Sequence, residues 1–119
     1  MSEPRQLREG ALLWEPTEAF KTASTMTDYM RWLERERGLR FAGYDELWRW
    51  SVDDLAAFWS SVVDYYEIPL RGEWTEVLGD ASMPGARWLE GAQLNYAEAL
   101  LRRVAPDGPA LLFASERYP

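Results

Sequence analysis

The sequence has 119 residues, 47% hydrophobic and 28% charged, with a net charge of −7 from 13 basic and 20 acidic side chains. That length and balance fit one small globular domain or part of a larger one. The acidic balance argues against nucleic acid, whose phosphates call for a basic face; no apolar run approaches the ~20 residues that cross a bilayer; without Cys there is no disulfide framework.

In chain order, residues 1–13 read as a flexible, solvated lead-in. Its polar start, Met1 to Gly10, lacks the apolar stretch of a secretory signal, so the expected compartment is the cytoplasm. Trp14-Glu15-Pro16-Thr17 breaks the chain and starts a short helical turn, with Pro16 fixing the entry. The first long helix is predicted over Thr25–Arg37. Thr25 and Asp28 match a capping pair, and Met26, Tyr29, Met30 and Leu33 form one apolar stripe. Gly38, having no Cβ, suits the left-handed position that closes a helix.

A short helix is predicted over Tyr44–Trp50, with Leu47 and Trp48 pointing inward. Ser51-Val52-Asp53-Asp54 reads as a second capping box, opening a helix over Val52–Tyr66. Leu55, Phe58, Trp59, Val62, Val63 and Tyr66 make its apolar face wide and aromatic, as in a helix held between two surfaces. Pro69 prevents it from continuing. Residues 69–90, punctuated by Gly and Pro, read as loop around a short strand at Trp74–Leu78. A fourth helix follows over Ala92–Val104, with Leu94, Ala97, Leu101 and Val104 inward and Arg102 and Arg103 at its negative end. Pro106-Asp107-Gly108-Pro109 is a turn. Ala110-Leu111-Leu112-Phe113-Ala114 is apolar without alternation, the pattern of a strand buried on both faces. A strand of that kind needs neighbours that these residues do not supply, which predicts a truncated chain. The fold class is therefore mainly α, with about four helices and one or two short strands.

The chemistry available is narrow. With no His and no Cys there is no imidazole base, thiol nucleophile or usual zinc site. Glycines 79, 85 and 91 do not make a phosphate-binding fingerprint. Asp53 and Asp54, about 100° apart on a helix, read as capping groups rather than as a shared-proton pair. Glu73, Glu76 and Asp80 are spaced for a hard cation but lack a calcium loop's pattern, and read as solvated surface. Arg102 and Arg103, at a helix C-terminus, complement the helix dipole better than they bind an anion. The Trp stripe reads as core or docking surface before a ligand box. No catalytic, cofactor-binding or metal residue is assigned.

Three stretches carry a resemblance. Gly38-Leu39-Arg40-Phe41-Ala42-Gly43-Tyr44-Asp45-Glu46-Leu47-Trp48-Arg49-Trp50-Ser51-Val52, followed by Phe58-Trp59, resembles the opening of bacterial acetoacetyl-CoA synthetases. Met83-Pro84-Gly85-Ala86-Arg87-Trp88-Leu89-Glu90-Gly91-Ala92-Gln93-Leu94-Asn95-Tyr96-Ala97-Glu98 resembles a segment shared with acetyl-CoA synthetases, with Leu89 in place of the usual Phe. Ala110 to Pro119 is similar to the family's first core strand and the turn after it.

The resemblance implies an adenylate-forming ligase with a large α/β domain and a small mobile one. It implies ATP, Mg²⁺ and CoA for the parent, with the catalytic groups downstream and none in these 119 residues. It divides the chain into the lead-in 1–13, a helical N-terminal region 14–108, and the first strand of a truncated α/β core at 109–119. The expected partner is the remainder of the same ligase, with no nucleic acid and no membrane. Two other readings stand beside it. One is a free-standing, acidic, Trp-rich helical module that binds a protein. The other is an enzyme in its own right, which the missing nucleophiles and bases disfavour.

Overall fold

The computed structural model describes residues 9–105 and 107–117. Among them are five helices and one two-stranded sheet, a mainly α chain that divides into two compact units, Met1–Ala42 and Gly43–Pro119. Within the predicted lead-in, residues 1–8 lie outside the described residues.

The first unit holds α1 (Glu18–Ala23) and α2 (Thr25–Arg37). Thr17 caps α1, its hydroxyl oxygen accepting the Phe20 N–H at 3.2 Å. Trp14 sets its ring edge-on against Phe20, with centroids 6.2 Å apart. A single residue, Ser24, ends α1 and begins α2. Its N–H and hydroxyl both donate to the Lys21 carbonyl, while its Oγ accepts the Thr27 N–H at 3.2 Å. The cap is thus Ser24 and not the Thr25–Asp28 pair: Ser24 has the extended backbone that a cap requires, and Thr25 is already helical. The bounds of α2 and its stop are those predicted. Tyr29 and Leu33 are buried on its apolar stripe, and Gly38 takes φ +66°. The N–H groups of Gly38 and Leu39 both fall on the Leu33 carbonyl.

The second unit begins with two helices, α3 (Tyr44–Asp53) and α4 (Leu55–Tyr65), packed against each other. The predicted break at Ser51 is displaced to Asp54. The Ser51 hydroxyl donates to the Trp48 carbonyl at 2.7 Å, so α3 runs through it, and Asp54 caps α4 by accepting the Ala57 N–H at 3.0 Å. A serine that satisfies its hydroxyl on the preceding turn no longer competes for the backbone as a cap does. Leu47 is buried as predicted; Trp48 is 53% exposed and does not point inward. On α4 the only fully enclosed side chain is Ser61, whose hydroxyl reaches the Phe58 carbonyl at 2.7 Å.

Past Pro69 the chain forms a hairpin. Strand β1 (Leu78–Asp80) pairs antiparallel with β2 (Arg87–Trp88), Leu78 opposite Trp88 and Asp80 opposite Arg87, with an irregularity between. The strand predicted at Trp74–Leu78 therefore lies further along, because its partner sets the register. The same two segments meet again at an Arg71–Gln93 bridge, with N–H···O distances of 2.9 and 2.7 Å.

Helix α5 (Tyr96–Leu101) is shorter than the predicted Ala92–Val104. Ala92 closes a turn onto Leu89 and Gln93 is held by Arg71, so the helix starts only where Asn95 caps it. Of the predicted turn at residues 106–109, Pro106 lies outside the described residues; the Gly108 N–H bonds to the Ala105 carbonyl. Residues 111–115 have no regular structure, and the strand predicted at Ala110–Ala114 makes no ladder with the other described residues. Leu111, Leu112 and Phe113 are 87%, 88% and 80% exposed.

Candidate functional site

The most constructed region is where α4, the hairpin and the start of α5 join. An aromatic series crosses it. Trp50 of α3 meets Phe58 of α4 edge-on at 5.8 Å, Phe58 meets Trp59 at 5.3 Å, and Trp59 meets Trp88 of β2 at 6.0 Å. Edge-to-face contact places the positive rim of one ring on the negative face of the next. Trp50, Trp59 and Trp88 thus join α3, α4 and β2 edge to face, whereas Trp48 stands exposed.

Ion pairs of Arg71 with Glu98 and of Arg102 and Arg103 with Glu67 tie the loops to the helices. The Arg71 guanidinium donates to both Glu98 oxygens, at 2.6 and 2.9 Å, joining the start of the hairpin to α5. Arg102 donates to Glu67 at 2.9 Å, and Arg103 donates to the Tyr66 carbonyl at 2.9 Å. The two arginines thus serve the C-terminal end of α4 as well as sitting at the end of α5. A cation on those last carbonyls complements the negative end of a helix.

The remaining candidates separate. Asp54 is committed to the cap of α4, and Asp53 is the last residue of α3. Asp80 accepts the N–H and hydroxyl of Ser82 at 2.8 and 2.6 Å, and these two bonds hold its carboxyl below the usual carboxylate range. Glu76 and Glu90 approach the open face of Gly79, with carboxylate oxygens 3.5 and 3.2 Å from where a Cβ would stand. Glu73, Glu76 and Asp80 do not converge: among the described residues no group of three or more acidic, His or Cys side chains could hold a metal ion. The Mg²⁺ that the resemblance implies finds no fitting donor set among the described residues. In the first unit, the hydrogen bonds that the Lys21 ammonium donates to Glu18 and Glu15 raise the Lys21 pKa.

Sequence reasoning missed β2, the Arg71–Glu98 pair and the close approach of Gly72 to Gly91. The signal for the last lay in the glycines themselves, since two positive-φ positions flank the Arg71–Gln93 bridge. Arg71 and Glu98 stand 27 residues apart, a separation that no local pattern reveals.

Comparisons with known proteins bear on this arrangement. A family described as acetyl-coenzyme A synthetase N-terminus matches residues 44–100, from the first residue of α3 to the last turn of α5. An acetoacetyl-CoA synthetase of Danio rerio is 35% identical over 118 residues, 97% of this chain. An acetoacetyl-coenzyme A synthetase of Rhizobium meliloti (strain 1021) is 38% identical over 105 residues, 87% of this chain. The chain spans only 17% and 16% of those two relatives. A solved structure of acetoacetyl-CoA synthetase from Streptomyces lividans superposes with a TM-score of 0.70 at 39% identity, covering 75% of this chain and 14% of that one. Residues 44–100 are thus similar to the acetyl-coenzyme A synthetase N-terminus family, and the chain as a whole is similar to part of the acetoacetyl-CoA synthetases.

Proposed function

We propose that this chain is the amino-terminal structural segment of an acetoacetate–CoA ligase. In the reaction of the whole enzyme, acetoacetate displaces diphosphate from ATP to give acetoacetyl-AMP. The CoA thiol then displaces AMP to give acetoacetyl-CoA. The observation that carries the reading is the alignment of 97% of this chain with an acetoacetyl-CoA synthetase of which it spans 17%.

On this reading the groups that bind ATP, Mg²⁺ and CoA belong to the rest of the ligase, and the segment alone is inactive. Its catalytic, cofactor and metal residues are none. Its partner is its own downstream chain, its compartment the cytoplasm. Residues 1–13 form the lead-in and 14–108 the helical region. Residues 109–119 contribute the first strand of the α/β core, a role supported by the uncovered Leu111-Leu112-Phe113.

Expressing the protein encoded by the complete reading frame, and measuring diphosphate release with ATP, CoA and acetoacetate, tests this. Release that requires acetoacetate supports it; release with another short acyl acid alone, or none, contradicts it. The uncovered Trp48 also suits a protein-interaction module. That second reading gains if the complete protein activates no acyl acid.

A further inference from the structure

Tyr44, Trp48 and Val52 recur every fourth residue along α3, which sets them in one stripe on the helix surface. They are 59%, 53% and 48% exposed. The helix already has an inward set: Leu47 is buried, and Trp50 packs on Phe58 of α4. A globular helix needs one apolar face for its own core, so a second one facing water marks a surface made for covering.

We infer that the Tyr44–Trp48–Val52 stripe is the face on which this segment docks to the downstream part of its own ligase chain, against an apolar surface with basic residues at its rim; this rests on the ligase reading above. Three observations favour that occupant. The stripe opens the stretch, residues 44–100, that matches the synthetase family. The relatives extend far beyond what this chain covers, which is 17% of the Danio rerio protein, so most of the surface available to it lies elsewhere in such an enzyme. Helix α3 also carries Asp45, Glu46 and Asp53 against the lone Arg49, on a chain of net charge −7. A second copy would bring acid to acid, whereas basic groups at the rim of a partner surface complement it.

Hydroxyl-radical footprinting read by mass spectrometry tests the inference through the Tyr44 and Trp48 rings. It is run on the 119-residue chain and on the protein of the complete reading frame, each over a range of concentrations. The expected result is ready oxidation of both rings in the short chain and loss of most of that oxidation in the complete protein, unchanged by dilution. Equal oxidation in the two proteins overturns the proposal. Protection that vanishes on dilution assigns the stripe to a second copy and overturns it too. A reading frame that closes after Pro119 removes the occupant and does the same. Acetoacetate-dependent diphosphate release, measured on the same complete protein, keeps the two claims apart. Protected rings without release leave the docking face standing and sink the ligase reading; release with unprotected rings does the reverse.

Discussion

Gly72 and Gly91 face each other so closely that a Cβ on Gly72 would lie 2.6 Å from the Gly91 carbonyl oxygen, and a Cβ on Gly91 would press on the Glu73 carbonyl. Both have positive φ, +87° and +94°. They flank the Arg71–Gln93 bridge, so the base of the hairpin closes only because neither position bears a side chain.

Gly72→Ala and Gly91→Ala are each expected to lower stability by about 1–3 kcal/mol, the cost of a strained left-handed residue, with the backbone contact adding to it. Gly85 also has positive φ, +103°, but open space around it, so Gly85→Ala meets the strain alone and costs less. Urea melts of the three variants give the order; equal losses would contradict the close-contact account.

Leu33 is fully enclosed, whereas Leu111 stands almost wholly in water. Leu33→Ala is expected to cost about 2–5 kcal/mol. Leu111→Ala in the same 119-residue chain stays within about 0.5 kcal/mol. Thermal denaturation separates them. A large loss at Leu111 would mean that the segment is covered within this chain.

In the Arg71–Glu98 pair one guanidinium nitrogen serves both carboxylate oxygens, but the pair is solvent-exposed, which limits what it contributes. A double-mutant cycle with Arg71→Ala and Glu98→Ala is expected to return a coupling of about 0.2–1 kcal/mol that shrinks with added salt. Both bonds come from the single Nη2 nitrogen, so Arg71→Lys, which keeps the charge and one donor nitrogen, recovers part of the coupling.

Asp80 and Lys21 respond to pH in opposite ranges. The Asp80 carboxyl is held below its ordinary value by Ser82, so its contribution is present above the unfolded pKa and is lost as pH falls through the folded one. The Lys21 pKa is raised by Glu18 and Glu15, so its contribution is present below the unfolded pKa and is lost as pH rises through the folded one. Ser82→Ala removes the hydroxyl donor and leaves the backbone one. An NMR titration of Asp80 in that variant should show the pKa moving part of the way back up. No movement would contradict the assigned cause.

The helices were legible where the signal was local. The α2 bounds follow from one apolar stripe and Gly38, and the buried Leu47 from its place in α3. Caps were off by one to three residues because several Ser, Thr and Asp side chains compete at each junction. Only the fold decides that Ser24 and Asp54 cap while Ser51 bonds back to Trp48. The outward turn of Trp48 was illegible for a different reason: an apolar side chain is assigned inward by default, and nothing in the sequence separates a second stripe from the first. The hairpin was half legible, since only Leu78 of the predicted Trp74–Leu78 strand falls in β1 and β2 is only Arg87–Trp88. The wide aromatic face of α4 predicts a helix held between surfaces; Phe58 meets α3 and Trp59 meets β2, but Leu55 and Tyr66 on the same face stand 39% and 45% exposed.

The most direct test of the central claim is removal of residues 1–104 from the protein of the complete reading frame, followed by measurement of its melting temperature and of its CoA dependence in the acetoacetate reaction. The account predicts a lower melting temperature and weakened or lost use of CoA, because the core would be left with an uncovered apolar surface. Unchanged melting together with unchanged CoA dependence would contradict it, and this segment would then have no structural part in a ligase.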